Sequence, residues 1–207
     1  MSGPEAASPA SPAVLRKVET PAAAALAELA ATLDDLQMVL QCCERLMAEL
    51  APRPAGPDIV AVEAFWTTAL ISYARCFPAA GSGAGLTEDD VRATHAEADV
   101  LSWHALLLQL RDHYADPTTN PREQFSLGVA QDPSGAASGI GITSARQPLV
   151  DDVTVRQTGA VAYALSAVVD ERIVALQATV FGQVERLPEA DLDRMVKLEV
   201  AQPTAGQ

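Results

Sequence analysis

Cysteine is rare in this sequence, and long apolar runs are absent. The 207 residues include three cysteines. The number and spacing of these cysteines, Cys42, Cys43 and Cys76, do not fit a disulfide framework or a zinc site. We expect reduced thiols, as is typical of a cytoplasmic protein. No stretch approaches the roughly 20 consecutive apolar residues of a membrane-spanning helix, so no membrane partner is predicted. Residues 1–20 lack the apolar segment of a secretory signal and are expected to form a disordered tail.

Histidine is equally scarce, which restricts metal and acid–base chemistry. His95, His104 and His113 are spaced nine residues apart. This spacing is two and a half helical turns, so successive histidines would lie on opposite sides of one helix. His95 and Asp99 supply two ligands at most, which do not make a metal site. The sequence therefore predicts no metal and no cofactor.

Basic residues are few compared with acidic ones. Fourteen Lys and Arg oppose 27 Asp and Glu, which gives a formal net charge of −13. Such a field repels a phosphate backbone, and the sequence contains no local basic patch to counter it. The composition argues against stable, non-specific binding of nucleic acid.

Aromatic residues make up only 4% of the chain, whereas hydrophobic residues make up 49%. Much of the apolar content is alanine, which favours helices because it loses no side-chain entropy there. Apolar residues recur at spacings of three and four in several segments, as in helices that bury one face. We predict a mainly α fold, an antiparallel up-and-down four-helix bundle with a β-hairpin inserted between the third and fourth long helices.

Capping and turn residues predict where the helices begin and end. Thr20 caps the first helix, Asp58 caps the second, and Thr87 with Asp90 forms a capping box for the third. Gly182 marks the end of the fourth helix or a kink in it. The predicted helices cover residues 21–50, 58–77, 87–114 and 150–181, with a short final helix over 187–200. A single domain would thus span residues 21–200, and residues 201–207 would form a tail.

Proline, glycine, serine and threonine are concentrated between the third and fourth helices. Within this insert, about residues 118–148, two short alternating runs at 124–129 and 139–143 flank a turn-forming segment at 132–135. Asp, Pro and Gly in that segment supply turn geometry. We predict a β-hairpin.

Several charged residues lie within otherwise apolar helical patterns, where an unpaired buried charge is costly. Two interpretations stay open for Arg111 and Asp112. They face a groove, or Arg75 or Arg111 forms an ion pair with Asp112 or Asp116 near the helix end. The candidate groove-lining residues are Tyr73, Arg75, His104 and Tyr114.

Two of these helical segments resemble the HEPN superfamily, all-helical domains found in prokaryotic toxins and abortive-infection proteins. The pattern W..AL..YAR.F falls on Trp66, Ala69, Leu70, Tyr73, Ala74, Arg75 and Phe77. The pattern H..L..LRD..A falls on His104, Leu107, Leu110, Arg111, Asp112 and Ala115. With the hairpin and the return helix, the resemblance covers about residues 58–181. It implies a helical domain that forms homodimers.

Active HEPN ribonucleases carry an R-x(4-6)-H motif, whose Arg and His converge across a dimer cleft and assist attack of the RNA 2′-hydroxyl on its phosphate. Here Arg111 and Asp112 match the start of the motif, but Asp116 stands at the histidine position of R-x4-H. A carboxylate there repels a phosphate instead of stabilising its charge. His113 is two residues from Arg111 and points to a different helix face. The resemblance thus implies a degenerate site made of Arg111, Asp112, His113 and Asp116.

Three functions are consistent with the sequence. The first is a non-catalytic, HEPN-like protein that acts through protein–protein interaction as a homodimer, in a defence or stress context. The second is a metal-independent HEPN-type ribonuclease toxin that uses Arg111 with His113 and Asp112, and only this function has RNA as a partner. The third is a generic helical adaptor whose long first helix docks on another helix.

Overall fold

The computed structural model describes residues 14–78, 83–94, 99–116, 123–146 and 148–199. This part of the chain is mainly helical and contains two small antiparallel strand pairs. The helices are α1 (Pro21–Leu50), α2 (Ile59–Arg75), α3 (Glu88–Ala93), α4 (Val100–Ala115), α5 (Asp152–Val184) and α6 (Glu189–Arg194). The strands are β1 (Leu15–Arg16), β2 (Glu123–Gln131), β3 (Ala137–Arg146) and β4 (Lys197–Leu198). None of the described helices is long and apolar enough to cross a membrane.

Helix α1 has the bounds predicted from its apolar stripe and its caps. The Thr20 hydroxyl oxygen accepts a hydrogen bond from the Ala23 amide at 3.2 Å, and Pro21 occupies the first turn. Cys42 and Cys43 are neighbours on different faces of the helix, yet both are buried. Their burial follows from the packing of α1 against α2 and against α5.

Contacts near the helix ends show that α2 and α5 both run antiparallel to α1. Arg75 at the end of α2 pairs with Asp35 of α1 at 3.0 Å, whereas the Asp58 amide before α2 donates to Glu49 at 3.4 Å. The predicted Asp58 cap is confirmed, because its carboxylate accepts from the amides of residues 60 and 61. Helix α5 begins beside the C-terminal half of α1 and ends near its start.

The predicted continuous helix over 87–114 is wrong, since the chain forms two separate helices there. Helix α3 ends at Ala93, with Thr94 as its C-cap, and α4 begins only after Asp99. The Asp90 carboxylate accepts from the Thr87 amide at 2.8 Å, as the capping box predicts. Asp90 also pairs with Arg172 of α5, so α3 contacts α5 as well as α4. Helix α4 itself packs mainly on α2. His95 lies outside the described residues.

The end of the chain differs from the prediction in two respects. Helix α5 continues past Gly182 to Val184, so this glycine does not end the helix. The final helix is short, Glu189–Arg194, and β4 follows it. β4 pairs with β1 in the register Leu15↔Leu198. Residues 15–17 of the predicted tail therefore lie against the segment 193–198, while residues 1–13 and 200–207 are outside the described part of the chain.

The predicted hairpin is confirmed, with strands longer than expected. β2 and β3 pair antiparallel in a register that includes Leu127↔Ile142 and Ser126↔Thr143. In the turn, the Asp132 carboxylate accepts from the Ser134 amide at 2.9 Å and from the Ala136 amide at 3.0 Å. Gly135 has a φ of 87°, which favours glycine. From residue 124 to residue 145 every side chain of the hairpin is exposed.

Candidate functional site

The C-terminal end of α4 carries Arg111, Asp112, His113 and Asp116, the four site residues that the HEPN resemblance implied. The Arg111 guanidinium donates to the carboxylate of its neighbour Asp112, with Nη2 at 2.6 Å and Nε at 2.8 Å from Oδ1. Of the two interpretations that the sequence left open, this arrangement is the ion pair at a helix end. Asp116 is the C-cap residue of α4, and its amide donates to the Asp112 carbonyl at 3.0 Å.

The charges of this turn do not favour a phosphate group. A guanidinium held by a carboxylate presents little net charge, and Asp116 adds a second acidic residue within the same turn. His113 is half-buried and two residues from Arg111, which is about 200° around a helix. Within one chain, Arg111 and His113 therefore point to different sides of α4.

Tyr73 and His104 were predicted to line a groove, but both lie in the core. Tyr73 Oη and His104 Nδ1 are hydrogen bonded at 2.9 Å, and both residues are buried. The Phe77 ring packs on them, with its centroid 4.4 Å from that of His104. Burial lowers the pKa of His104 and raises that of Tyr73. This cluster joins α2 to α4 and presents no open surface to a substrate.

The other two predicted groove residues also have structural contacts. Arg75 is exposed and pairs with Asp35 across the α1–α2 contact. Tyr114 is half-buried and packs against the hydrophobic core. The structure thus brings Arg111 to Asp112 and Tyr73 to His104, but Arg75 pairs with Asp35, a residue outside the predicted set.

The hairpin carries an uncovered apolar face that the sequence analysis did not identify as a site. Residues opposite each other in an antiparallel pair, and residues two apart along a strand, share one face. The apolar side chains on that face are between 61% and 72% exposed, and they are Phe125, Leu127, Val129, Ile140 and Ile142. We call this surface the hairpin face. The alternation of apolar and polar residues in both strands indicates that the hairpin has an apolar face. It does not indicate whether another part of the protein covers that face.

A second apolar surface lies between the first turns of α4 and the start of α5. It forms a cavity of about 560 Å³. Its apolar lining comes from Val100, Trp103, Leu106, Ala160 and Val161, with polar side chains of both helices at the rim. Trp103 Nε1 is buried there and has no hydrogen-bond partner among the described residues. The groove exists because α4 packs mainly on α2 and α3, while α5 packs mainly on α1.

Metal-binding clusters are absent from the described ranges, where no three His, Cys, Asp or Glu side chains come together. All three cysteines are free and buried. Burial raises the pKa of Cys76 to about 12. Burial, together with the neighbouring Cys42, raises the pKa of Cys43 to about 12 as well. These thiols are therefore poor nucleophiles.

Comparison with known proteins adds no relative to this picture. No family model matches the chain, and no curated protein or solved structure matches it either.

Proposed function

We propose that this chain is a non-catalytic, HEPN-like protein that self-associates as a homodimer and acts through protein–protein interaction. In this proposal α1, α2, α4 and α5 form an antiparallel four-helix bundle, and the hairpin is an interaction element inserted between α4 and α5. The observation that carries the proposal is the hairpin face, which leaves five large apolar side chains in water. Contiguous exposed apolar patches on a soluble protein are typical of interaction sites.

The charges around Arg111 support the absence of catalysis. Cleavage of RNA needs positive charge directed at the phosphate, whereas Arg111 is paired with Asp112 and a second carboxylate, Asp116, stands where the motif has its histidine. A formal charge of −13 on each chain adds general repulsion of RNA. The free, buried cysteines support a cytoplasmic setting.

Ribonuclease activity is tested on a mixed RNA pool, with and without Mg²⁺. Purified wild type, Arg111→Ala and Asp116→His are compared side by side. We expect no cleavage by wild type. Cleavage by wild type that is lost in Arg111→Ala would overturn the non-catalytic proposal in favour of the toxin that uses Arg111, His113 and Asp112. Activity gained only in Asp116→His would support a HEPN cleft that lacks its histidine.

Self-association is tested separately by sedimentation velocity on the wild-type chain at micromolar concentration. We expect a concentration-dependent dimer. A monomer at every concentration would contradict the homodimer and leave the generic adaptor as the remaining non-catalytic function. Overexpression in a bacterial host provides the cellular counterpart, since a non-catalytic protein is harmless whereas a ribonuclease toxin arrests growth.

A further inference from the structure

The hairpin differs in charge from the rest of the chain. Between residues 124 and 145 the only charged residue is Asp132, which lies in the turn. The carboxylate of Asp132 is engaged with the amides and the hydroxyl of that turn. Between residues 124 and 145 both strands therefore present an uncharged surface, although the chain as a whole carries a formal charge of −13.

The two faces of the hairpin are chemically distinct. One is the hairpin face, with its five apolar side chains. The other carries small or polar residues, such as Ser126 opposite Thr143 and Gly128 opposite Gly141. A two-stranded hairpin is marginally stable in water unless it packs on something. Since all side chains of residues 124–145 are exposed, the part of the chain that the structure describes does not supply that packing.

We propose that the hairpin face is covered by the hairpin face of a second copy, packed face to face about a two-fold axis. This inference rests on the proposed self-association and assigns it to the hairpin face, whereas the HEPN resemblance alone would place the dimer cleft at the end of α4. Two-fold contacts are made by the same patch on both subunits, so the patch must be self-complementary. An uncharged apolar face satisfies that requirement, whereas two acidic surfaces with the same net charge repel each other.

The size of the hairpin face limits the apolar area that the contact can bury. A Val, Leu, Ile or Phe side chain offers roughly 60–120 Å² of apolar area, so ten of them exposed by about two thirds provide roughly 400–800 Å². Interfaces of standard size bury about 1,200–2,000 Å². The hairpin contact is therefore smaller than an interface of standard size, so we expect a weak, reversible dimer.

Adjacent residues in β2 provide a matched pair of variants. Leu127 belongs to the hairpin face, while Ser126 belongs to the opposite face of the same strand. Leu127→Asp and Ser126→Asp add the same charge one residue apart. A difference between their effects on dimerisation therefore shows which face of the strand is buried in the dimer, and is not an effect of charge alone. Ile142→Asp and Thr143→Asp repeat the comparison in β3, across from Leu127 and Ser126.

The experiment is sedimentation velocity on the full chain over a wide concentration range for wild type and these four variants. We expect Leu127→Asp and Ile142→Asp to weaken dimerisation on the order of 100-fold, because a charge would be buried without a partner. Ser126→Asp and Thr143→Asp should stay within about threefold of wild type. Circular dichroism checks that the helical content is unchanged, as expected for exposed positions outside the helices.

Each contrary outcome has a separate meaning. A dimer that resists all four substitutions overturns the hairpin proposal but leaves the proposed function intact, since the interface then lies elsewhere. Equal weakening by variants on both faces also overturns it, because strand-edge pairing or charge alone would then be responsible. A wild-type monomer removes both the hairpin contact and the homodimer.

Discussion

The Tyr73 hydroxyl and Nδ1 of His104 lie 2.9 Å apart in the core and join α2 to α4. Tyr73→Phe removes the hydroxyl and leaves the buried imidazole nitrogen without that partner. We expect the free energy of unfolding to fall by about 1–2 kcal/mol, as for the loss of a buried hydrogen bond. Urea denaturation measures the change. Tyr163→Phe is the matched control, because Tyr163 is 73% exposed, and it should change stability by less than about 0.5 kcal/mol.

The same histidine makes stability depend on pH. Burial lowers the pKa of His104 from its usual 6.5, and Glu88 acts weakly in the opposite direction. The unfolded chain therefore binds a proton at His104 more readily than the folded chain does. Its contribution to stability is complete above about pH 6.5 and is lost as the pH falls through the lower folded-state pKa.

Urea unfolding from neutral to mildly acidic pH tests this dependence. Wild type should lose stability as the pH falls, and His104→Asn should show a flatter profile despite its lower overall stability. His113→Asn makes the same replacement at a half-buried position of α4 and controls for the substitution itself. Parallel profiles for wild type and His104→Asn would show that His104 does not contribute to the pH dependence.

The Asp90–Arg172 ion pair holds α3 against α5. Burial raises the pKa of Asp90, but hydrogen bonds from Arg172 and Thr87 outweigh this effect and lower the pKa overall. Arg172→Ala leaves a mostly buried carboxylate with the Thr87 contacts alone. We expect destabilisation by about 1–2 kcal/mol, since Arg172 is partly exposed and solvent screens the pair. Thermal unfolding should show a loss below about 0.5 kcal/mol for Arg156→Ala, whose ion pair is exposed.

Replacing glycine by alanine is expected to have opposite effects on stability at two positions, Gly159 and Gly85. A Cβ at Gly159 in α5 would lie 3.6 Å from Cys43 Cβ, which is an ordinary contact. Gly159→Ala should therefore stabilise the protein by about 0.5–1 kcal/mol by removing a glycine from a helix interior. At Gly85, a Cβ would collide with the Pro78 ring and lie 3.2 Å from the Cys76 carbonyl oxygen. Gly85→Ala should destabilise by about 1–3 kcal/mol, and a melting temperature above wild type would contradict this.

Apolar spacing, capping residues and turn residues predicted helix α1 and the hairpin, whose bounds depend on neighbouring residues in the sequence. The bounds of α1 follow from an apolar stripe between Thr20 and the prolines after Leu50, and the hairpin follows from two alternating runs around Asp132. The continuous helix over 87–114 was predicted from Val91, Ala98 and Leu101, but polar residues interrupt this stripe, because Thr94 and His95 occupy the positions between Val91 and Ala98. The tertiary contacts of the two helices also differ, since α3 contacts α5 through Asp90 and α4 packs mainly on α2.

The site was harder to predict than the fold. A charged residue in an apolar pattern indicates either a groove or an ion pair. The three-dimensional structure is needed to show that Arg111 binds Asp112 while Arg75 binds Asp35. The alternation in β2 and β3 correctly indicated an apolar face. Whether that face packs on a helix or stays in water depends on the placement of the whole hairpin, which no local pattern encodes.

The short pairing of β1 with β4 places residues 15 and 198 side by side. Neighbouring strands are about 5 Å apart, so a few flexible residues can connect position 199 to position 14. A circular permutant opened at 148–150, between β3 and α5, would then leave the hairpin intact and place α5 before α1. Residues 185–199, the linker and residues 14–20 would connect the two helices, so the contact between α5 and α1, now distant in sequence, would span fewer residues. Lower contact order accelerates folding, so this rearrangement should fold faster than the natural chain order.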